Sequence, residues 1–317
     1  AKDYTCFYAR TLEEHVPQAF DILGDMITSP RLDKKDIDTE RGVVIEEIGM
    51  SEDTPDELVS EKLYASVWDG SPFGRPILGT EETLNRMTGD DLRSYMREKY
   101  APNRLVIAIC GRYDRQNFLD VVAKYFAGIS AGGAIMEHEP IGYKQSTIIT
   151  PKEQEQTHID LCLPSIGVMD DRRYPMSVLN IVLGGSSSSR LFQRIREQMG
   201  LAYSIYSTGV GYNGGGVLEV QAAVAPETAE AATLEMVKVL NELKGGITER
   251  EFTRAKQQLK AGILMSMESI SSRAGNMGRG ELIKNRVKSE EEIIAEIEAV
   301  THEQVNAFAQ EVLDTQK

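Results

Sequence analysis

The chain has few of the residues from which proteins build disulfide or redox centres. Its 317 residues include only three cysteines, Cys6, Cys110 and Cys162, which lie far apart in the sequence. They form no C-x-x-C pair and no even-numbered framework, so a reducing compartment is the default expectation.

Histidine is scarce as well, and the sequence contains no histidine zinc motif. The four histidines are His15, His138, His158 and His302. No two of them are spaced as in H-E-x-x-H or H-x-x-E-H. We expect His15, His138 and His302 to be solvated, and His158 to be packed within a strand.

Long apolar runs and an excess of basic residues are also absent. The longest apolar stretches, such as residues 105–110, are far too short to cross a membrane, and no signal peptide opens the chain. The 49 acidic residues outnumber the 35 basic ones, and the net charge of −14 repels nucleic acid and anionic lipid. We therefore expect a cytoplasmic protein with no nucleic-acid or membrane partner, and a bias towards basic peptides.

The overall composition is that of a folded, soluble protein. Apolar residues make up 41% of the chain and charged residues 26%. At about 150 residues per domain, the length predicts two domains. Glycines at positions 128, 132 and 133 interrupt the helical pattern between them. We place the first domain at residues 1–130, a linker at 131–152 and the second domain at 153–317.

An internal repeat indicates that the two domains are alike. The helical pattern of positions 88–100 recurs at 301–313, and the strand-like pattern of positions 4–9 recurs at the same spacing, at 217–222. Positions 32–48 recur at a slightly larger spacing, at 247–263. Each unit reads as a strand followed by long amphipathic helices, which predicts an α+β fold with two duplicated domains.

The repeat also suggests a piece of a longer protein. Residues 153–216 precede the repeated strand of the second unit and have no counterpart in the first. The chain ends at Lys317, where the counterpart of the strand predicted at 105–111 would begin. We therefore expect the first domain to lack its N-terminal portion and the second to lack its last strand.

Two glutamates form the first candidate site. Glu40 and Glu47 are seven residues apart on a predicted helix, so they lie about 20° apart around its axis, on one face. Such a pair can orient one cation, with one carboxylate as ligand and the other behind it. The spacing alone favours an ordinary solvated helix face over such a site, because glutamate is common on helices.

The second candidate site follows a run of glycine and serine. The run LGGSSSSRLF at 183–192 either cradles phosphate or makes a tight connection with a serine cap, and the lack of a G-K-[ST] ending favours the connection. A helix at 192–198 and a strand at 201–208 follow it. Arg196 near the helix end and Tyr203 early in the strand could face a cleft together, or be two ordinary surface residues.

Four segments taken in order resemble the inverzincin zinc peptidases. They are RGVVIEEI at 41–48, FGRPILGT at 73–80, YAPNR at 100–104, and the 183–192 run followed by REQMGLAYS at 196–204. That family includes pitrilysin, insulin-degrading enzyme and mitochondrial processing peptidase. The likeness is greatest to short bacterial members similar to processing peptidase, and it covers essentially the whole chain.

The resemblance implies a fold and a site. Such peptidases pair α+β domains, each an antiparallel sheet covered by helices, and close around a peptide. Their zinc is held by the two histidines of an H-x-x-E-H helix and by a later glutamate, which Glu47 matches, while Glu40 matches the acidic residue behind that ligand. Arg196 and Tyr203 match the pair that holds substrate beside the metal. The H-x-x-E-H helix has no match, and we expect it to precede Ala1.

Zinc hydrolysis needs three protein ligands, an open position for water and a general base. Since only one ligand and no base are found, we predict that this chain is itself inactive and derives from a zinc endopeptidase of the processing-peptidase type acting on extended peptides. A non-catalytic family subunit that presents substrate to a catalytic partner is the alternative, and a plain acidic α+β binding module is a third. By analogy, we expect a homodimer or a heterodimer with a family partner.

Overall fold

The computed structural model describes residues 1–129 and 141–315. The helices of the first half are α1 Val16–Thr28, α2 Lys34–Asp53, α3 Pro55–Val67, α4 Glu81–Arg86, α5 Gly89–Lys99 and α6 Arg115–Phe126. The second half contains strands β1 Thr157–Ser165, β2 Ala202–Tyr212 and β3 Gly215–Val224, and a π-helix at Phe192–Gln198. Its α-helices are α7 Arg173–Leu183, α8 Ala229–Lys244, α9 Glu249–Met267, α10 Ile270–Lys284, α11 Glu290–Ala299 and α12 His302–Val312.

Local capping chemistry sets where several helices begin. Thr88 precedes α5, where its hydroxyl accepts a hydrogen bond from the Asp91 amide while the Asp91 carboxylate accepts one from the Thr88 amide. Reciprocal bonds of this kind satisfy two amides that would otherwise lack partners in the first turn. Asp33 occupies the corresponding position before α2, but its side chain makes no capping hydrogen bond.

The helix boundaries follow the internal repeat. Helices α1 and α8 begin at positions 16 and 229, and α5 and α12 begin at 89 and 302, which is the same spacing. Helices α2 and α9 begin at 34 and 249, and α3 and α10 begin at 55 and 270, which is the slightly larger spacing. The same succession of helices therefore occurs in both halves, at the spacings found in the sequence.

The sheet is antiparallel, with strand order β1-β3-β2. Because side chains alternate along a strand, one face carries Leu161 and Leu163 of β1 with Leu218 and Val220 of β3. Helices α7, α8 and α12 pack on that face, α9 packs against α7, and together they enclose the main hydrophobic core. The α+β fold class with a helix-covered antiparallel sheet is confirmed.

The opposite face of the sheet is covered by α3 of the first half. A second apolar cluster forms there around Trp68, which is fully buried and lies with its ring 4.9 Å from that of Tyr64 and 5.5 Å from that of Tyr212. The other buried members of the cluster are Val67, Phe73, Ile141 and Val217. The two halves of the sequence are thus joined through an aromatic contact.

Residues 141–152, the described part of the predicted linker, run along the outside of this joint. The Lys144 amide donates to the Val67 carbonyl at 2.9 Å, and the Lys152 ammonium donates to the Glu52 carbonyl at 2.7 Å. Ile141 is buried in the second cluster. The segment is therefore fixed to α2 and α3 by hydrogen bonds and packing.

The strands predicted in the first half are not found in the structure. Residues 1–129 contain helices but no assigned strand, so residues 4–9 and 105–110 belong to no sheet. Their sequences favour extended backbone, but a strand also needs a neighbouring chain to complete its hydrogen-bond ladder. No other segment of the described chain pairs with either of them.

None of the described helices is long and apolar enough to cross a membrane.

Candidate functional site

The glycine and serine run folds as a tight connection between α7 and the π-helix. Gly184 is required there, since a Cβ at this position would lie 2.5 Å from the Ser207 amide nitrogen. The Ser189 hydroxyl is buried and accepts a hydrogen bond from the Phe192 amide at the start of the π-helix. The serine therefore caps the helix, as the sequence favoured.

A half-buried ion pair fastens this connection to α9. Arg190 donates through Nε and Nη2 to the two carboxylate oxygens of Glu251, each at 2.8 Å. The hydrogen bonds from Arg190, with those from Thr248, lower the pKa of Glu251 to about 2. A two-pronged contact of this kind fixes direction as well as distance, so the start of the π-helix is rigidly held.

The π-helix is anchored on its inner side and ends sharply. Ile195 is fully buried, and Arg194 reaches across to Glu235 and Glu242 of α8. The helix ends at Gln198, and the turn after it contains Gly200, whose φ of +64° lies in the left-handed region that favours glycine. Strand β2 begins two residues later, at Ala202.

This turn brings the predicted pair, Arg196 and Tyr203, together. The Arg196 guanidinium carbon lies 5.9 Å from the centre of the Tyr203 ring and 4.9 Å from that of Phe192. Arg196 is exposed, and 74% of Tyr203 is accessible to solvent. Within the described residues no ion pair or hydrogen bond of Arg196 is found. Its N–H donors are therefore open to a ligand.

Glu40 and Glu47 both lie on α2 and are exposed. Helix α2 is fixed by Arg41, which donates to the carbonyls of Leu84 and Met87 at 2.9 and 2.8 Å. The most extensive contacts of α2 are with α3 and α4. Within the described residues, no ion pair or hydrogen bond joins either glutamate to Arg196 or Tyr203.

The histidines form no zinc site in the described chain. His15 is exposed and His158 lies half-buried in β1. His302, expected to be solvated, is instead half-buried, with Nε2 2.6 Å from the Ile247 carbonyl oxygen and Nδ1 2.8 Å from Glu249. The contact with the start of α9 explains the difference, because α12 packs there. His138 lies outside the described residues.

No group of three His, Cys, Asp or Glu side chains in the described residues is placed to hold a metal. A hydrolytic zinc needs three such ligands and an open position. Glu47 supplies one carboxylate and Glu40 a second on the same face, without an imidazole beside them. The residues described here therefore do not fit a catalytic zinc.

A buried polar network lies on the face of the sheet that α3 covers, and it was not predicted from the sequence. The Ser60 hydroxyl donates to Asp160 Oδ2 at 2.8 Å, and the Gln221 amide donates to the same oxygen at 3.1 Å. Glu219, only 3% exposed, lies on the neighbouring strand opposite Cys162. The signal was present, since polar residues alternate with apolar ones along β1 and β3, but such alternation usually marks a solvated face.

Burial shapes the acidity of this network. Loss of solvent raises the pKa of Asp160 to about 6, and loss of solvent together with the Asp160 charge raises that of Glu219 to about 7. One oxygen of each carboxyl is buried without a hydrogen-bond partner. Burial therefore makes both acids harder to ionise than an ordinary carboxyl group.

Comparison with known proteins identifies the relatives of the chain. A family model described as Insulinase (Peptidase family M16) matches residues 1–81, and one described as Peptidase M16 inactive domain matches residues 86–259, more than half of the chain. The uncharacterized zinc protease YmxG of Bacillus subtilis is 38% identical over 313 residues, covering 98% of this chain and 76% of that protein.

Two further comparisons agree. An uncharacterized zinc protease of Streptomyces coelicolor is 34% identical over 329 residues, covering 99% of this chain and 70% of that protein. The crystal structure of a protease from Helicobacter pylori has a TM-score of 0.86 at 19% identity, covering 96% of this chain and 75% of that one, which shows a shared fold. The chain belongs to the insulinase family of peptidases, M16.

Proposed function

We propose that this chain binds extended peptides for a zinc endopeptidase of the processing-peptidase type. The observation that carries the proposal is the exposed Arg196 guanidinium beside Tyr203. The N–H donors of Arg196 have no acidic partner in the described chain. A guanidinium presents its donors in a planar fork that suits peptide carbonyl and carboxylate oxygens. The naming of the relatives as zinc proteases supports the reaction class.

In this proposal the side chains have separate roles. Arg196 and the Tyr203 hydroxyl donate hydrogen bonds to the peptide and fix its course. Glu47 would supply one ligand to the zinc of the complete enzyme, and Glu40 would orient the Glu47 carboxylate. The net charge of −14 favours basic peptides over acidic ones. Pairing into a dimer stays a prediction from the resemblance.

Because the described residues lack a three-ligand group, we expect the chain alone to hold peptide without cleaving it. The test measures three properties of the purified chain: its zinc content by mass spectrometry, its affinity for a fluorescein-labelled extended basic peptide, and cleavage of that peptide. We expect binding with neither stoichiometric zinc nor cleavage. Absence of peptide binding would contradict the proposal, and one zinc per chain with turnover would contradict the assignment of ligands.

A non-catalytic subunit that presents substrate to a catalytic partner is the second candidate. The same lack of a three-ligand group among residues 1–129 and 141–315 favours it. Both candidates bind peptide, so they differ only in the complete gene product. An intact H-x-x-E-H in the reading frame upstream of Ala1 selects the enzyme, and a degenerate one selects the subunit.

A further inference from the structure

Arg196 is held differently from the arginine two positions before it. Arg194 is paired with two acids of α8, and its Nη1 lies 2.7 Å from Glu242 Oε2. For Arg196, the contacts found in the described chain are with two aromatic rings, those of Phe192 and Tyr203. The π-helix therefore places one arginine in a structural ion pair and leaves the other to aromatic neighbours.

The two rings make unequal contributions. Both lie within the distance of about 6 Å at which a cation over an aromatic face is attracted by the ring. Phe192 is closer, at 4.9 Å against 5.9 Å, and is half-buried, whereas Tyr203 is 74% exposed. Phe192 also begins the π-helix, where its amide donates to the buried Ser189 hydroxyl. It is thus the firmer of the two contacts.

The backbone explains how Phe192 reaches Arg196. They are four residues apart on one helix, so their side chains project from the same side. The widened π-helical turn closes with the Met199 amide donating to the Arg194 carbonyl five residues earlier, at 3.1 Å. Widened turns of this type occur frequently at functional sites.

Stacking on an aromatic face leaves the guanidinium edge free. The five N–H donors of arginine lie in the plane of the group, so a ring against that plane does not block them. It does restrict a long side chain that otherwise samples many rotamers, and this restriction lowers the entropy lost on binding. A guanidinium held in this way is already oriented to donate hydrogen bonds to a carbonyl or carboxylate oxygen.

We propose that Phe192 is a positioning residue that holds the Arg196 guanidinium against its ring and presents its N–H edge to a carbonyl or carboxylate oxygen of a bound peptide. That the ligand is a peptide rests on the proposed function. The holding of Arg196 by Phe192 does not.

The holding is tested by nuclear magnetic resonance of the arginine Nε–H groups, with the Arg196 signal assigned from an Arg196→Gln variant. A ring over the guanidinium shifts this signal, so Phe192→Leu should move it towards the value of a free arginine, whereas Phe192→Tyr should retain it. Phe252→Leu is the matched control, because Phe252 is also half-buried and lies beneath a cation, Lys256, at 5.4 Å. An Arg196 signal unchanged in Phe192→Leu would overturn the proposal.

Peptide affinity tests the consequence. Phe192→Leu should weaken binding of the labelled basic peptide about two- to fivefold, the range expected for an exposed cation–aromatic contact, and Phe192→Tyr should restore it. Equal affinity of the wild-type chain and Phe192→Leu would overturn the positioning role. Failure of the wild-type chain to bind any peptide would instead contradict the proposed function, and the resonance experiment would still decide the holding of Arg196.

Discussion

Glu219 and Asp160 are two acids that share a buried space between α3 and the sheet. Two described groups act on the pKa of Glu219 besides burial: the Asp160 charge raises it, and the Tyr64 hydroxyl lowers it. Both carboxyl pKa values are raised by burial, to about 7 and about 6. The neutral forms are thus favoured in the folded chain relative to the unfolded one.

The sign of the resulting pH dependence follows from these shifts. Below about pH 4 both acids are neutral in the folded chain, and burial costs nothing extra. As the pH rises through the range from about 4 to 7, the unfolded chain releases its protons first, so stability falls. We expect Glu219→Gln to raise the thermal unfolding midpoint at pH 8 by about 2–4 °C and to have little effect at pH 4.

The control for this prediction is Glu227→Gln, which removes an exposed carboxylate from the same half of the chain. It should leave the midpoint unchanged at both pH values, because exposed single charges contribute little. A Glu219→Gln variant that is less stable than the wild-type chain at pH 8 would show that Glu219 is stabilising in its charged form, contrary to the geometry.

The burial of this pair could not be predicted from residue identity alone. Asp160 and Glu219 occur in strands where polar and apolar residues alternate, and that pattern indicates a face in water. Helix α3, from the other half of the chain, covers the face instead. Arg196 and Tyr203, by contrast, were predicted together because they are only seven positions apart, on either side of one glycine turn.

At the scale of elements, α3 is the joint between the halves, and Trp68 at its end is the centre of that joint. The indole is fully buried against Tyr64, Phe73 and Tyr212. Replacing a buried aromatic side chain by alanine typically costs about 3–5 kcal/mol through lost burial and the cavity left behind. We expect Trp68→Ala to lower the free energy of unfolding by that amount.

Circular dichroism during urea unfolding measures this change, since the only tryptophan of the chain is lost in the variant. Tyr8→Ala is the control, because Tyr8 is 86% exposed and should change stability by less than about 0.5 kcal/mol. Equal unfolding curves for Trp68→Ala and Tyr8→Ala would contradict the described joint.

The strands predicted in the second half form in the structure, whereas those predicted in the first half do not. The starts of α5, α9 and α12 are set by capping residues and periodicity within a few positions, so the sequence contains the information locally. A strand depends on a partner that can be distant in sequence. Residues 157–165 find one in β3, whereas residues 4–9 and 105–110 find none in the described chain.

At the scale of the whole molecule, the order of the helices is repeated in the two halves, but the halves carry different candidate residues. In the second half, a sheet and its helices enclose the main core and position the Arg196–Tyr203 pair. The first half carries Glu40 and Glu47 on an exposed helix and covers the sheet through α3. We propose that substrate holding resides in the second half of the chain.

The affinity of the chain for an extended basic peptide, measured by fluorescence anisotropy without added zinc, tests this claim most directly. Arg196→Gln should weaken binding about tenfold, because it removes charged hydrogen-bond donors from the peptide. Arg250→Gln, which removes an equally charged exposed arginine on α9, should leave the affinity within about twofold. Equal losses in the two variants, or no loss in Arg196→Gln, would contradict the account.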